Sequence, residues 1–400
     1  MTRPETYLEK NMQLKSKLPD VGTTIFTVMS KLAHEHNAIN LGQGFPDFNP
    51  DEKLLRLVSS AMQAGHNQYS YMPGVESLRL VIRDKVKALY GRTYNPETEI
   101  TVTSGATQAI MAAILAVVHP GDEVIVIEPS YDSYIPSIRL AGGTPVTVSM
   151  EPPSNQEETF KIDWNKVADK ITHKTRLIIL NSPHNPTGAV LESEDLDAIE
   201  RIVSNTSIYL LSDEVYEHIV FADQGHLSLA SHPLLAERTF VISSFGKTTH
   251  TTGWKVGYCC APLELTKELR KVHQFMVFSV ASPFQHALAV YTADPETYLQ
   301  LPEFYRQKRD RLFQGLLNTK LKPYACPGTF FMLATYSEVS KLDEYEFSTW
   351  LTQNYGVTVI PVSAFYAKPT EFHKNQKVIR FCFAKQDQTL DLAVERLMRL

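Results

Sequence analysis

Four cysteines in 400 residues are too few to staple a small secreted fold, and Cys259, Cys260, Cys326 and Cys382 form neither a Cys-x-x-Cys pair nor a Cys/His metal spacing. Reduced thiols in a packed interior are expected, and no metal site. The longest apolar run, Ala109 to Val118, is about half of the ~20 residues needed to cross a bilayer, and it reads as a buried helix. The opening residues Met1-Thr2-Arg3-Pro4-Glu5-Thr6-Tyr7-Leu8-Glu9-Lys10 carry no apolar core of the secretory kind, so a cytoplasmic chain is expected and the Asn205-Thr206-Ser207 acceptor pattern means little. Neither charge sign forms a block: 39 basic side chains against 44 acidic ones leave a formal −5, which argues against a nucleic-acid partner. Internal repeats and low-complexity segments are absent too.

What is present is a hydrophobic content of 43% over a length that suits one large α/β core plus a smaller domain. From about Asn95, short β-rich runs alternate with helical periodicity, the pattern of a mostly parallel sheet with helices on both faces. Seven strands are expected at Glu99–Thr103, Glu123–Glu128, Thr144–Ser149, Arg176–Asn181, Ile208–Ser212, Thr239–Ser243 and Lys255–Ala261. Ahead of them lies an amphipathic helix at Thr24–His36 and a Gly/Pro turn at Gly42-Gln43-Gly44-Phe45-Pro46. A charged helix begins near Tyr298, and strands and helices follow to Leu400. Residues 50–302 read as the large domain, and residues 303–400 as the smaller α+β domain, joined by residues 1–49, which begin as an arm.

Asn185, Asp213 and Lys247 each fall just past a predicted strand, where open α/β sheets place their ligands. Taken singly, each is weak: a lone lysine is usually solvated, and a lone aspartate can cap a helix. Together they suit one chemistry. A lysine desolvated in the mouth of a sheet becomes a nucleophilic amine able to form a Schiff base with an aldehyde cofactor. Asp213 can keep the cofactor's ring nitrogen protonated, and Ser104-Gly105-Ala106-Thr107, opening an apolar helix, offers free N–H groups to a phosphate.

Asn185-Pro186-Thr187-Gly188, Ser212-Asp213-Glu214-Val215-Tyr216, Ser243-Ser244-Phe245-Gly246-Lys247-Thr248 and Thr252-Gly253-Trp254-Lys255-Val256-Gly257 resemble the signature segments of class I aminotransferases of fold type I, which use pyridoxal 5'-phosphate (PLP). Gly42-Gln43-Gly44-Phe45-Pro46-Asp47-Phe48, Asn67-Gln68-Tyr69 and Val378-Ile379-Arg380-Phe381-Cys382-Phe383 resemble the kynurenine and glutamine aminotransferase branch. Ser130-Tyr131-Asp132-Ser133-Tyr134 and His250-Thr251-Thr252-Gly253-Trp254 look most like its bacterial methionine aminotransferases. The resemblance covers nearly the whole chain. It implies that Lys247 carries the cofactor and removes the Cα proton, that Asp213 pairs with the ring nitrogen, and that Tyr216 and Asn185 bond its phenolic oxygen. Asn181 would sit beside the ring and Tyr131 on its face. Gly105, Ala106, Thr107, Ser244 and Lys255 would hold the phosphate, joined by Tyr69 of a neighbouring subunit in a homodimer with shared active sites. Arg380 would take the substrate carboxylate, with Asn185 and Gly44 beside it.

Amino transfer from methionine, aromatic or glutamine-type amino acids to 2-oxo acids, in ping-pong fashion, is the activity implied. Phe278 to His286 offers no arginine for a second carboxylate, so acidic substrates are disfavoured, and Ile25, Phe45, Tyr71, Tyr134, Phe278 and Phe365 are the expected side-chain pocket. A P-loop at Gly246-Lys247-Thr248 fails because Val241 stands where its first glycine belongs. A dinucleotide fingerprint at Gly42-x-Gly44 fails at Asp47. The alternative within the same cofactor class is a cysteine-S-conjugate β-lyase, told apart by pyruvate release without an oxo-acid acceptor. A remoter one is a non-catalytic sensor on the same fold.

Overall fold

The computed structural model describes residues 15–400; the start of the arm, residues 1–14, lies outside the described residues. Seven strands form one sheet in the order Ile100–Thr103, Gly257–Cys260, Thr239–Ser244, Tyr209–Asp213, Thr175–Asn181, Glu123–Glu128 and Thr144–Ser149. Every neighbouring pair is parallel except the two that involve Gly257–Cys260, which runs against both of its neighbours. The central strands are continuous runs such as Leu177-Ile178-Ile179-Leu180 because both faces are covered. Ile110 and Ile114 of the Gly105–Val117 helix and Leu265 and Leu269 of the Leu263–Met276 helix fill one face. Leu196, Ile199 and Val203 of the Ser193–Val203 helix fill the other. Reciprocal capping between Glu192 and Asp195 fixes where that helix begins.

Four of the remaining strands form an antiparallel sheet in the order Ile360–Pro361, Val378–Cys382, Phe331–Thr335 and Lys322–Pro323. Its core takes in Leu312 and Leu316 of the Leu301–Leu317 helix and Leu390 and Leu397 of the Asp387–Leu397 helix. The N-terminal segment joins this part: Ile39–Asn40 pairs in parallel with Val357–Thr358, and the Cys382 N–H donates to the Leu41 carbonyl at 2.6 Å. The amphipathic helix spans Ile25–Glu35 with the Thr24 hydroxyl as its N-cap. All four cysteines are buried and unpaired. Among the described residues no helix is long and apolar enough to cross a membrane.

One strand departs from expectation. The run expected at Lys255–Ala261 begins only at Gly257, because Lys255 turns out of the sheet at φ 54° in the left-handed region. The turn is enforced at Gly257, where an added Cβ would stand 2.8 Å from both Ala106 N and Ser243 O.

Candidate active site

The parallel strands Thr175–Asn181, Tyr209–Asp213 and Thr239–Ser244 end at one edge of the sheet, delivering Asn181, Asp213 and Ser244 side by side, with Lys247 in the helical turn Phe245–Thr248 that follows. Since Gly257–Cys260 runs backward, its beginning reaches the same edge and brings Lys255 there. Gly44, Gly105, Ala106, Thr107, Tyr131, Asn181, Asn185, Asp213, Tyr216, Ser244, Lys247, Lys255 and Arg380 all line a single cavity of about 230 Å³.

The Lys247 ammonium donates to the Gly44 carbonyl at 3.1 Å and stands over the rings of Tyr216 and Phe330 at 5.5 and 5.1 Å. The side chain is half-buried in the wall of the cavity, with protein packed around its amine. Burial therefore lowers its pKa to about 8, and the charges of Arg380 and Lys255 push the same way. Burial pushes the Asp213 carboxyl up to about 6, against a hydrogen bond from Tyr134 and the attraction of Lys247. Tyr216 is buried with its phenol raised well above 10, again by burial, so it can act only as a neutral hydroxyl.

Gly105, at φ 73°, opens a helix whose first N–H groups have no side-chain cap. A Cβ there would lie 3.2 Å from Lys255 Nζ, and the missing Cβ at Gly257 keeps the turn open. Bare amides, a helix N-terminus and a lysine ammonium make a cradle that fits a phosphate.

Arg380 is fully buried in the middle of the Val378–Cys382 strand. Its Nη1 donates to Asn185 Oδ1 at 2.7 Å and its Nη2 to the Gly42 carbonyl at 2.8 Å. The guanidinium lies 3.8 Å above the Phe331 ring centroid, with Phe365 and Phe26 at 4.9 and 5.3 Å. Burial lowers its pKa to about 10, which still leaves it charged near neutrality, and its buried Nε has no partner. A fixed cation with an unspent donor fits an anionic substrate group.

Other expected residues lie elsewhere. Phe45 is 46% exposed, with its carbonyl tied to Lys385 Nζ at 2.8 Å. Phe278 is 38% exposed, held at φ 68°, and meets the edge of Tyr69, itself 83% exposed. Tyr71 turns outward and donates to Glu97 at 3.1 Å. Tyr134 is no pocket residue: burial turns its hydroxyl under Asp213, where it donates to Oδ2 at 2.6 Å. Ile25 and Phe365 line a neighbouring cavity of about 370 Å³, which shares Phe26 and Tyr131 with the first. Phe26 and Phe331, beneath Arg380, were missed; a Phe-rich pattern alone does not tell a cation's seat from core.

The family model for aminotransferase class I and II matches residues 36–397. The chain belongs to the class I and II aminotransferases. It is 50% identical over 387 residues to the methionine aminotransferase of Escherichia coli K12, covering 96% of this chain and 98% of that protein. It is 35% identical to human kynurenine–oxoglutarate transaminase 1, covering 92% and 94%. An Escherichia coli crystal structure with an identified methionine aminotransferase function superposes with a TM-score of 0.94 at 50% identity, covering 98% of this chain and all (100%) of that one. The N-succinyldiaminopimelate aminotransferase of Mycobacterium tuberculosis gives 0.92 at 40% identity, over 97% and 100%. This aminotransferase therefore has the type I PLP fold, uses pyridoxal 5'-phosphate, and moves amino groups between amino acids and 2-oxo acids.

Proposed function

We propose that the preferred donors are methionine, aromatic and glutamine-type amino acids, and that the cavity residues divide the work of a ping-pong cycle. The observation that carries this reading is the convergence of the Lys247 amine, the Asp213 carboxylate and the Arg380 guanidinium on one 230 Å³ cavity with an anion cradle at its end. When bound, pyridoxal phosphate supplies an aldehyde for the amino group and a ring that accepts the electrons released at Cα. Gly105, Ala106, Thr107, Ser244 and Lys255 would hold its phosphate. Tyr131, Asn181, Asn185 and Tyr216 would fix the ring, and Asp213 would serve its nitrogen. Lys247 would hold the cofactor between turnovers, and its amine, free once donor is bound, would be the base that takes the Cα proton and gives it back. A pKa near 8 supports that role, since the free base is then accessible near neutral pH.

The substrate carboxylate goes to Arg380 beside Gly44 and Asn185, and its side chain to the neighbouring cavity. Ile25, Phe26, Tyr131, Ile135 and Phe365 give that cavity an apolar wall, and the Asp132 carboxylate in it opposes an acidic side chain. The sequence likeness to a methionine and a kynurenine aminotransferase supports the same range.

A homodimer belongs to this proposal. Tyr69, Phe275 and Phe278 are exposed aromatics, and the segment before Tyr71 is tied to the one after Phe278 by Ser70 to Ser279 and Ser282 to the Gln68 carbonyl. A second copy covering them would let Tyr69 reach a partner's phosphate. We also assign the cofactor site to residues 50–302, and a smaller domain to residues 303–400 with residues 1–49. A cytoplasmic location accords with four buried unpaired cysteines.

A coupled assay of amino donors against oxo acids tests the assignment: methionine, phenylalanine and glutamine should outrun aspartate and glutamate. Turnover without any acceptor, releasing pyruvate from a cysteine conjugate, would mark a β-lyase instead. Borohydride should fix the cofactor on the peptide containing Lys247.

A further inference from the structure

Among the described residues the Asp213 carboxylate receives one side-chain hydrogen bond, and it comes from Tyr134: the phenol donates to Oδ2 at 2.6 Å, while Asn181 Nδ2 bonds the Asp213 backbone carbonyl. The other oxygen, Oδ1, has only a long contact to the Val215 N–H at 3.4 Å and keeps capacity for a further donor. The remaining charged and titratable neighbours are engaged elsewhere or offer no hydrogen bond. Lys247 bonds the Gly44 carbonyl, and Glu214 accepts from Ser212, the Leu229 N–H and His226. Tyr131 and Tyr216 make no hydrogen bond to the carboxylate; Tyr131 packs edge-on against Tyr134 at 5.7 Å. Tyr134 itself is buried at the first turn of the Tyr134–Leu140 helix, its N–H tied to the Tyr131 carbonyl at 3.2 Å, and among the described residues its hydroxyl has Asp213 as its hydrogen-bond partner.

We propose that Tyr134 is a positioning residue that decides on which side of the contact between Asp213 and the cofactor's ring nitrogen the shared proton resides. The inference rests on the assignment of Asp213 to that nitrogen. A carboxylate and a pyridine nitrogen are bases of similar strength, so one proton between them is finely balanced. A hydrogen bond donated to the carboxylate stabilises its charged form and weakens it as a base, which leaves the proton on the ring. Burial alone acts the other way, favouring neutral Asp213. The Tyr134 phenol, raised well above 10 by burial, stays a donor at every working pH. A charge-assisted bond of this kind is worth about tenfold to a hundredfold in such an equilibrium. The proton matters because the protonated ring draws electrons from Cα.

The test is nitrogen-15 NMR of holoenzyme carrying ring-labelled pyridoxal phosphate at saturating cofactor, alongside steady-state kinetics. Wild-type enzyme should show a protonated ring. Tyr134→Phe should move the signal toward the unprotonated position and lower kcat about tenfold to a hundredfold, with donor KM within about threefold. In an Asp213→Asn background the same substitution should have no further effect, because Tyr134 acts only through the carboxylate. An unchanged ring signal, or an equal loss in both backgrounds, overturns the proposal. Should Tyr134→Phe fold poorly, 3,5-difluorotyrosine at position 134 keeps the hydroxyl as a stronger donor and must keep the ring protonated; a neutral ring there also overturns it. Borohydride trapping on Lys247 separates the two levels. Its absence in the wild type sinks the site assignment, whereas trapping with a ring signal indifferent to Tyr134 sinks this inference alone.

Discussion

Replacing Arg380 by lysine keeps a positive charge and so isolates what the planar guanidinium does. The side chain spends one N–H on Asn185 Oδ1 and one on the Gly42 carbonyl, lies against Phe331, and keeps its Nε free. An ammonium cannot hold both anchors and still meet a carboxylate with two parallel bonds. One substrate bond is lost outright, at about 1.5–3 kcal/mol for a charge-assisted bond, and a misplaced carboxylate adds to it. A total of about 2–4 kcal/mol is about 30- to 1000-fold in kcat/KM at 1.36 kcal/mol per decade. Both the bound donor and the transition state carry the carboxylate, so most of the loss should fall on KM. Single-turnover absorbance with varied donor measures it, and cofactor affinity should stay put, since Arg380 is not part of the phosphate cradle. An amine donor without a carboxylate should react alike with both enzymes. If Arg380→Lys keeps kcat/KM for methionine within about threefold, the carboxylate does not bind there.

Gly257→Ala places a methyl 2.8 Å from Ala106 N and Ser243 O, and overpacking of about 1–3 kcal/mol should weaken cofactor affinity by about fivefold to 150-fold in an apoenzyme titration. On the proposed assignment, capture of cofactor by apoenzyme needs the neutral Lys247 amine. With the amine's pKa lowered to about 8, stopped-flow rates should climb as pH rises toward 8 and then level off; a climb continuing to about pH 10 would mean a solvated lysine. Glu217, buried, accepts from Lys85 Nζ and Tyr90 at 2.6 Å each and from Tyr258 at 3.1 Å. Burial opposes its charge, yet the Lys85 charge and the hydrogen bonds from Lys85 and Ser243 hold it well below the usual carboxylate range, so its contribution is present at neutral pH and lost as pH falls through the acid range. Glu217→Gln leaves Lys85 buried without its counter-ion and should cost about 3–5 kcal/mol in urea unfolding at pH 7.5; a cost under about 1 kcal/mol would show the pair to be dispensable.

The strands and the residues just past their ends were legible because apolar runs, turn residues and polar strand ends are local signals. Asn185, Asp213 and Lys247 needed only the rule that parallel strands open their ligand site at one edge, whereas Asn181 and Ser244 were implied by the family resemblance. Residues defined by what packs over them were not legible. Tyr134 and Asp213 are 79 positions apart, and nothing in Ser133-Tyr134-Ile135 says whether the ring faces a substrate or a carboxylate. Phe45 and Phe278 look like pocket residues for the same reason: an aromatic near a motif can be core, lining or an exposed face awaiting a second copy.

The reversed strand explains a further gap. Lys255 stands at the beginning of its run, so in an all-parallel sheet it would lie at the far edge, about 10–13 Å from the other strand ends at ~3.3 Å per residue over four residues. Only because Gly257–Cys260 runs against Ile100–Thr103 and Thr239–Ser244 does its start meet the helix that opens at Gly105. That reversal brings an ammonium to the same turn as the bare amides, and it requires glycine at 257, where the strand touches the Gly105–Ala106 turn and Ser243. Strand direction, which periodicity does not encode, is therefore what brings to this helix N-terminus the lysine that makes it a cradle fit for a phosphate.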